Sequence, residues 1–378
     1  MTNVNVFTTT PSTTPRRRWL RAAATLSLLP ALATILAGCG STSNSGGTTT
    51  PPPPPPYVIP VMKPTFSLTG DVTPVHDPSL SYDNGTYYSM STDPGGTTSN
   101  FLPIRSSTDK LHWVSAGAVF PTMPAVITNY FAPTVLTSLW APDVSFFNGL
   151  YHLYYVGSDF GTNTSIIALA TNPTLDPTDP TYLWTNQGKV ISSNSNNPYN
   201  TIDPSILVDT DSSGNLTHVW MSFGSYFGGI YEAEIDPTTG LLLNTPITNI
   251  ATRPGVQNNP IEGTSLVKHN GYYYLFASFD YCCQSSPSQD NYKIAVGRSS
   301  SAQGPFADMT GTAMLQGGGT ILMESGTQWT APGGATVLID PTHGDLIAYH
   351  ALDSSDGYLD YLFVDSLTWP SDWPVITQ

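Results

Sequence analysis

Charge is scarce in this chain, and positive charge is scarcest. Only 10% of the residues are Asp, Glu, Lys or Arg, and 12 Lys and Arg stand against 27 Asp and Glu. A formal net charge of −15 leaves no basic surface for nucleic acid or an anionic membrane. Arginines 16, 17, 18 and 21 all lie at the N-terminal end, so the rest of the chain is more acidic still. Cysteine is nearly absent. Cys282 and Cys283 are neighbours and cannot staple distant segments, so a domain built here must be stabilised by its core. Sequence alone leaves this pair open: a small local disulfide ring or two buried thiols. Also missing are an amphipathic helical stretch and an apolar run long enough to span a membrane. Ala22 to Ile35 is too short for that.

Residues 1–39 read as an address, a signal peptide rather than a fold. Arg16-Arg17-Arg18-Trp19-Leu20-Arg21 is a basic start with a twin-arginine look, and the apolar run follows it. Leu36-Ala37-Gly38-Cys39 resembles a bacterial lipobox, in which the cysteine takes lipid. Residues 40–62 are rich in Ser, Thr and Gly and then Pro, and predict a linker that is flexible first and stiff later. The expectation is an exported protein of the bacterial envelope, anchored to a membrane only through a lipidated Cys39. Residues 63–378 then form one domain, expected to be a monomer.

Aromatic and neutral polar residues are plentiful. Short alternating runs such as Tyr151-His-Leu-Tyr-Tyr-Val and Tyr272-Tyr-Tyr-Leu-Phe-Ala predict strands, and Asn84-Gly85, Asn148-Gly149 and Asn270-Gly271 predict tight hairpin turns. Five units recur. His76-Asp77-Pro-Ser, Trp140-Ala-Pro-Asp143, Ile202-Asp203-Pro-Ser and Ile261-Glu262-Gly open four of them, about sixty residues apart. A fifth, starting at Ala331-Pro-Gly-Gly, carries no acid. This spacing predicts an all-β, five-bladed β-propeller with acids gathered at its axis. A β-sandwich is the competing all-β reading, but it gives no reason for an acid to keep its place.

Asp77, Asp203 and Glu262 are the candidate catalytic residues. A neutral, polar, aromatic surface suits sugars, and glycoside cleavage needs one protonated and one ionised carboxyl group flanking the bond. Asp143 reads as a structural acid lining its blade. Arg298 reads equally as a partner of the central carboxylates and as a salt bridge within its blade.

In this order and spacing, these motifs resemble the endo-1,5-α-L-arabinanases of glycoside hydrolase family 43. Asn200-Thr-Ile-Asp203-Pro-Ser, Phe223-Gly-Ser-Tyr-Phe-Gly-Gly-Ile230, Tyr281-Cys-Cys283, Ile294-Ala-Val-Gly-Arg298-Ser and Trp369 to Pro374 extend the resemblance across nearly the whole domain. It implies an inverting mechanism on arabinan or arabino-oligosaccharides. Asp77 would be the general base, Glu262 the general acid, and Asp203 would raise the Glu262 pKa and orient that group. It further implies substrate contacts at His76, Asp77, Trp140, Gly161, Asn200, Thr201, Ile202, Asp203, Ser225, Tyr226 and Phe227. One calcium ion near the axis would be held by His350 and waters. Two departures stand out. Phe227 replaces a frequent Trp, and Pro332-Gly333-Gly334-Ala335 lacks a histidine common in the fifth unit. An exo-acting arabinofuranosidase or β-xylosidase of the same fold is the near rival, and a non-catalytic glycan-binding lipoprotein the distant one.

Overall fold

The computed structural model describes residues 57–378 apart from residue 97. The leader, the lipobox and most of the linker lie outside the described residues. The described chain is an all-β, five-bladed propeller. From rim to axis the first blade runs Thr69–Gly70, His112–Phe120, Phe101–Ser107, Thr86–Met90 and Ser79–Asp83. The other four blades have four strands each, led at the axis by Trp140–Phe147, Ser205–Thr210, Ile261–His269 and Trp329–Leu338. Each innermost strand touches the next, and the fifth touches the first. The Asn-Gly turns form as expected, with Asn84, Asn148 and Asn270 at φ 47°, 49° and 48° before glycines in the same left-handed region.

Side-chain alternation buries both faces of each blade against its neighbours. Five apolar clusters fill the five gaps, one per interface. Above this packing runs a repeated polar tie. Val144 N–H donates to Ser79 Oγ, Leu266 N–H to Ser205 Oγ and Val337 N–H to Ser265 Oγ, all at 3.1 Å. Between the second and third blades the acceptor is Asp143 Oδ2, reached by Ile206 N–H at 3.1 Å. Asp143 therefore holds the place of Ser79 and not of Asp77. The residue equivalent to Asp77 in the second blade is Ala141, which shares its positive φ. The matched position read for Asp143 is corrected accordingly, while its structural role is what the hydrogen bond shows.

Among the described residues, no blade is shared between the chain ends. The ring is closed by the segment that enters it. Leu362 N–H in the fifth blade donates to Val72 O at 2.9 Å, Val75 N–H donates to Asp360 O at 3.1 Å, and Lys63 binds Gln378 through both its backbone and its ammonium group. The propeller begins before Lys63. Met62 is 2% exposed, packs between the fourth and fifth blades, and donates its N–H to Glu324 O, while the Tyr57 hydroxyl reaches Ile321 O. Six residues assigned to the linker thus belong to the domain. No amphipathic helical stretch was expected, and one short helix forms, Ala125–Phe131. Its Ile127 and Phe131 sit on Gly157, where a Cβ would meet Ile127 Cγ2 at 2.9 Å.

One buried group works against the fold. Glu232, on Ile230–Ile235, is 2% exposed, and neither carboxylate oxygen has a hydrogen-bond partner among the described residues. Burial, and then Glu234, push its pKa up to about 8. Below its unfolded value, near 4.5, the group is protonated in both states and contributes no pH dependence. Between there and pH 8 the folded state keeps a proton that the unfolded chain has released, so stability falls as pH rises. Glu232→Gln should therefore match the native protein near pH 4 and exceed it at pH 7 by on the order of 2–3 kcal/mol in urea unfolding. Equal stabilities at both pH values would contradict this.

Candidate active site

The three acids reach the axis from the entry of three inner strands. Asp77 precedes Ser79–Asp83, Asp203 precedes Ser205–Thr210, and Glu262 is the second residue of Ile261–His269. Asp77 and Asp203 have φ of 48° and 54°, and Gly263 after Glu262 has 57°. Such left-handed backbone in a non-glycine residue costs on the order of 1–3 kcal/mol and persists only where neighbours enforce it. The ladder is irregular between Glu262 and Ser265, a bulge that re-aims the acid. All three acids line one cavity of about 1170 Å³.

Their surroundings set them apart. Asp77 Oδ2 accepts from the Thr92 hydroxyl at 2.8 Å and from His76 Nδ1 at 2.8 Å. Burial pushes the Asp77 pKa up, but the His76 charge and hydrogen bond, then His350 and Thr92, bring it well below the usual carboxylate range. Burial likewise lowers the His76 pKa, and Asp77 overcomes it and raises the value to about 10. Asp77 and His76 thus form a partly buried ion pair at neutral pH. Glu262 is the opposite case. Burial raises its pKa, the Ser225 and Tyr292 hydroxyls oppose that by donating to its two oxygens, and Asp77 adds repulsion. Ser225 Oγ lies 2.5 Å from Oε2. Asp203 is also pushed well up, by burial first, then by Glu262 and Asp77, while its Oδ2 accepts the Gly263 N–H at 2.9 Å. Repulsion between Asp203 and Glu262 is mutual, so a proton held by either relieves the other.

Of the residues read as substrate contacts, His76, Asp77, Trp140, Gly161 and Asn200 line this cavity. So do Ile202, Asp203, Ser225, Tyr226 and Phe227. Thr201 does not. It is fully buried, its hydroxyl donates to Ser165 O at 2.9 Å, and its N–H donates to Ser193 Oγ, so it holds a loop and offers nothing to a ligand. Arg298 meets neither reading made of it. Its guanidinium stacks between Tyr272 and Trp373 at 4.4 and 4.6 Å and donates to Asp372 O, far out in its blade.

His350 borders a smaller chamber of about 160 Å³, shared with His76, Asp290, Asp360 and the Cys282–Cys283 pair. The pair is a disulfide. His350 Nδ1 accepts the Asp77 N–H at 3.2 Å, and burial, then the His76 charge, push its pKa well down, so the ring is neutral with its proton on Nε2; an ion at Nε2 requires the other tautomer, with the proton on Nδ1 facing Asp77 Oδ1 at 3.8 Å. Atoms of His76, Cys282 and His350 lie within 4.8 Å of one another. Two of these cannot ligate: Cys282 is bound to Cys283, and His76 commits its proton to Asp77. The residues fit an ion held at one protein nitrogen with water completing its shell, near the Asp290 and Asp360 carboxylates. They do not form the closed oxygen cage typical of calcium. The missing fifth-unit histidine has a local reason in Gly334, φ 57°, where a Cβ would meet Asp77 Oδ1 at 2.5 Å and His350 Nδ1 at 2.8 Å.

Sequence reasoning missed three residues. Tyr292 is buried with its hydroxyl on Glu262, and its ring lies against Gly333. No sequence motif singles it out, though a buried phenol needs a partner. Thr92 binds Asp77 and also accepts the Ala141 N–H at 2.8 Å. No sequence motif marks it. Phe160, 70% exposed at the cavity rim and edge-on to Trp140 at 6.2 Å, adjoins the named Gly161.

Known proteins are similar to this chain in sequence and fold. Residues 72–374 match the family described as glycosyl hydrolases family 43. An extracellular endo-α-(1→5)-L-arabinanase of Bacillus subtilis is 38% identical over 79% of this chain and 87% of its own length. An extracellular exo-α-(1→5)-L-arabinofuranosidase of Cellvibrio japonicus is 34% identical over 80% of this chain and 86% of its own. The structure of a Cellvibrio cellulosa α-L-arabinanase complexed with arabinohexaose is similar with a TM-score of 0.72 and 33% identity. It covers 81% of this chain and 96% of that one. With the family match over residues 72–374 and the identity to these relatives, this chain belongs to glycosyl hydrolase family 43.

Proposed function

We propose that this protein hydrolyses α-1,5-L-arabinofuranosidic bonds within arabinan, with inversion at the anomeric carbon. The observation that carries this reading is the opposed poise of two carboxyl groups in one cavity. Asp77 is held ionised by His76 and Thr92, while burial favours a proton on Glu262. Asp77 takes a proton from water as that water attacks the anomeric carbon. Glu262 gives its proton to the departing glycosidic oxygen. After the turn Asp77 is protonated and Glu262 ionised, and exchange with solvent resets both. Asp203, fixed by the Gly263 N–H, keeps the proton favoured on Glu262 through mutual repulsion. The cavity rim carries exposed Phe160 and Phe227, which offer faces to successive sugar rings. The smaller Phe227 face, lacking an indole donor, weakens its contact relative to a tryptophan.

An ion at His350 is part of the proposal. When bound it would supply positive charge behind Asp77 and take no part in proton transfer. We also propose that the protein is exported and anchored through lipid on Cys39, with residues 40–56 as a tether, and that it acts as a monomer. The arabinanase relatives named extracellular support export. Blocking lipoprotein signal peptidase should leave a larger precursor. Unchanged mobility would remove the anchor.

Asp77→Ala and Glu262→Ala should each lower kcat by about 10²–10⁴-fold with the fold retained, and near-normal turnover in either would sink the assignment. On linear, debranched arabinan the products should appear as a ladder of short oligosaccharides. Arabinose alone, without intermediates, would place the protein with the exo-acting relative. Tyr292→Phe removes a donor that favours ionised Glu262, so the Glu262 pKa rises and the alkaline limb of the pH–rate profile moves to higher pH. A downward move would contradict the Tyr292–Glu262 hydrogen bond as described. Exhaustive chelation, or His350→Ala, should lower activity or thermal stability; no change in either would remove the ion.

A further inference from the structure

His76 is held from three sides, and one of them has no role in the reaction as described. Its Nδ1 pairs with Asp77 Oδ2 at 2.8 Å, and its ring stacks on His350 at 3.8 Å. The remaining nitrogen, Nε2, faces sulfur: Cys282 Sγ at 3.3 Å and Cys283 Sγ at 3.6 Å. The two sulfurs are bonded to each other. Together with His76 they border both the large cavity and the small chamber, so they stand as a partition between them.

The loop that presents the sulfurs is anchored. Tyr281 N–H donates to Asn291 Oδ1 and Asn291 N–H to Tyr281 O, both at 2.9 Å, and Asp290 Oδ1 accepts the Gln284 N–H at 2.9 Å. Cys282 packs against Tyr292, Ala331 and Leu352. Joining the sulfurs removes the rotation that two separate thiols would have and presents both to one ring nitrogen. Sulfur is also a weak acceptor. A carboxylate in its place would compete with Asp77 for His76. A disulfide fills the space and steadies the ring while leaving the His76 charge directed at Asp77.

We propose that the Cys282–Cys283 disulfide is a positioning element for the reaction: it locks His76, and through His76 it fixes the carboxylate of the proposed base, Asp77. It touches no reacting atom in this role. Reduction by a small dithiol would release the lock, with two electrons and two protons passing to the sulfurs to give two thiols while the reductant closes to its own disulfide. Cys283 is exposed, so such a reagent can reach it.

This inference rests on the proposed hydrolysis of arabinan, and the test separates the two. Initial rates on linear arabinan are measured for the oxidised protein, for the protein treated with dithiothreitol, and for Cys282→Ala/Cys283→Ala, with thermal unfolding and trapped-thiol mass recorded for each. Activity of the oxidised protein tests the hydrolase reading; its absence overturns that reading first. Given activity, kcat should fall about tenfold or more on reduction, with KM changed less than about twofold, because misplacement of a reacting group is felt in the transition state. Reoxidation should restore kcat. The double variant should show the same lowered kcat and ignore dithiothreitol. Unchanged kcat with both thiols shown to be free would overturn the proposal. So would a loss confined to KM, which would make the pair a floor for the sugar, or one matched by unfolding.

Discussion

The structure around the axis depends on keeping one partly buried carboxylate charged beside two others on which burial favours a proton. Isolated burial would protonate Asp77, as it favours protonation of Glu262 and Asp203. The difference is His76, the preceding residue, whose ring lies against the same carboxylate. The rest of the site is arranged so that this pair can exist. Thr92 donates to Asp77 from the first blade, His350 stacks on His76 from the fifth, and Gly334 leaves the space in which they meet.

The propeller provides that meeting point because each blade delivers one strand entry to the axis. Apolar packing between blades supplies the adhesion, and the serine ties fix the height of each inner strand against the next. Asp143 shows how strict this is. Where a blade places an acid two residues along, at the tie position, the acid binds the neighbouring backbone and leaves the axis. Acids at the Asp77 and Asp203 positions, and Glu262 raised by its bulge, reach the cavity. Ala141 and Gly334 leave the second and fifth blades without one. The asymmetry of a fivefold frame is therefore set by a few residues at one repeated position.

Much of this was legible in the sequence, and the reasons are local. Asn-Gly turns, alternating aromatic strands and the sixty-residue spacing are short-range signals, and they led to five blades. The three axial acids were readable because the repeat itself places them. Thr201 was misread because it lies inside a motif whose neighbours do line the cavity, while its own hydroxyl and N–H are taken by Ser165 O and Ser193 Oγ. Tyr292 and Thr92 were missed because their significance depends on residues distant in the chain, Glu262 and Asp77, which only the closed ring brings to them. Arg298 looked like a partner for acids, yet its own blade and the next supply an aromatic face each instead, Tyr272 and Trp373. The start of the domain was placed late because Met62 follows a proline-rich segment, and only the gap between the fourth and fifth blades shows that it is core.

The central claim is that Asp77 and Glu262 act as base and acid on opposite sides of the scissile bond, with a water between base and sugar. The anomeric form of the first product tests it most directly. Proton NMR of linear arabinan during early hydrolysis should show the β-anomer of the new reducing end first, with the α-anomer appearing only as mutarotation proceeds. If the α-anomer appears first, the bond is cleaved with retention, and the assignment of Asp77 as a base acting through water is wrong.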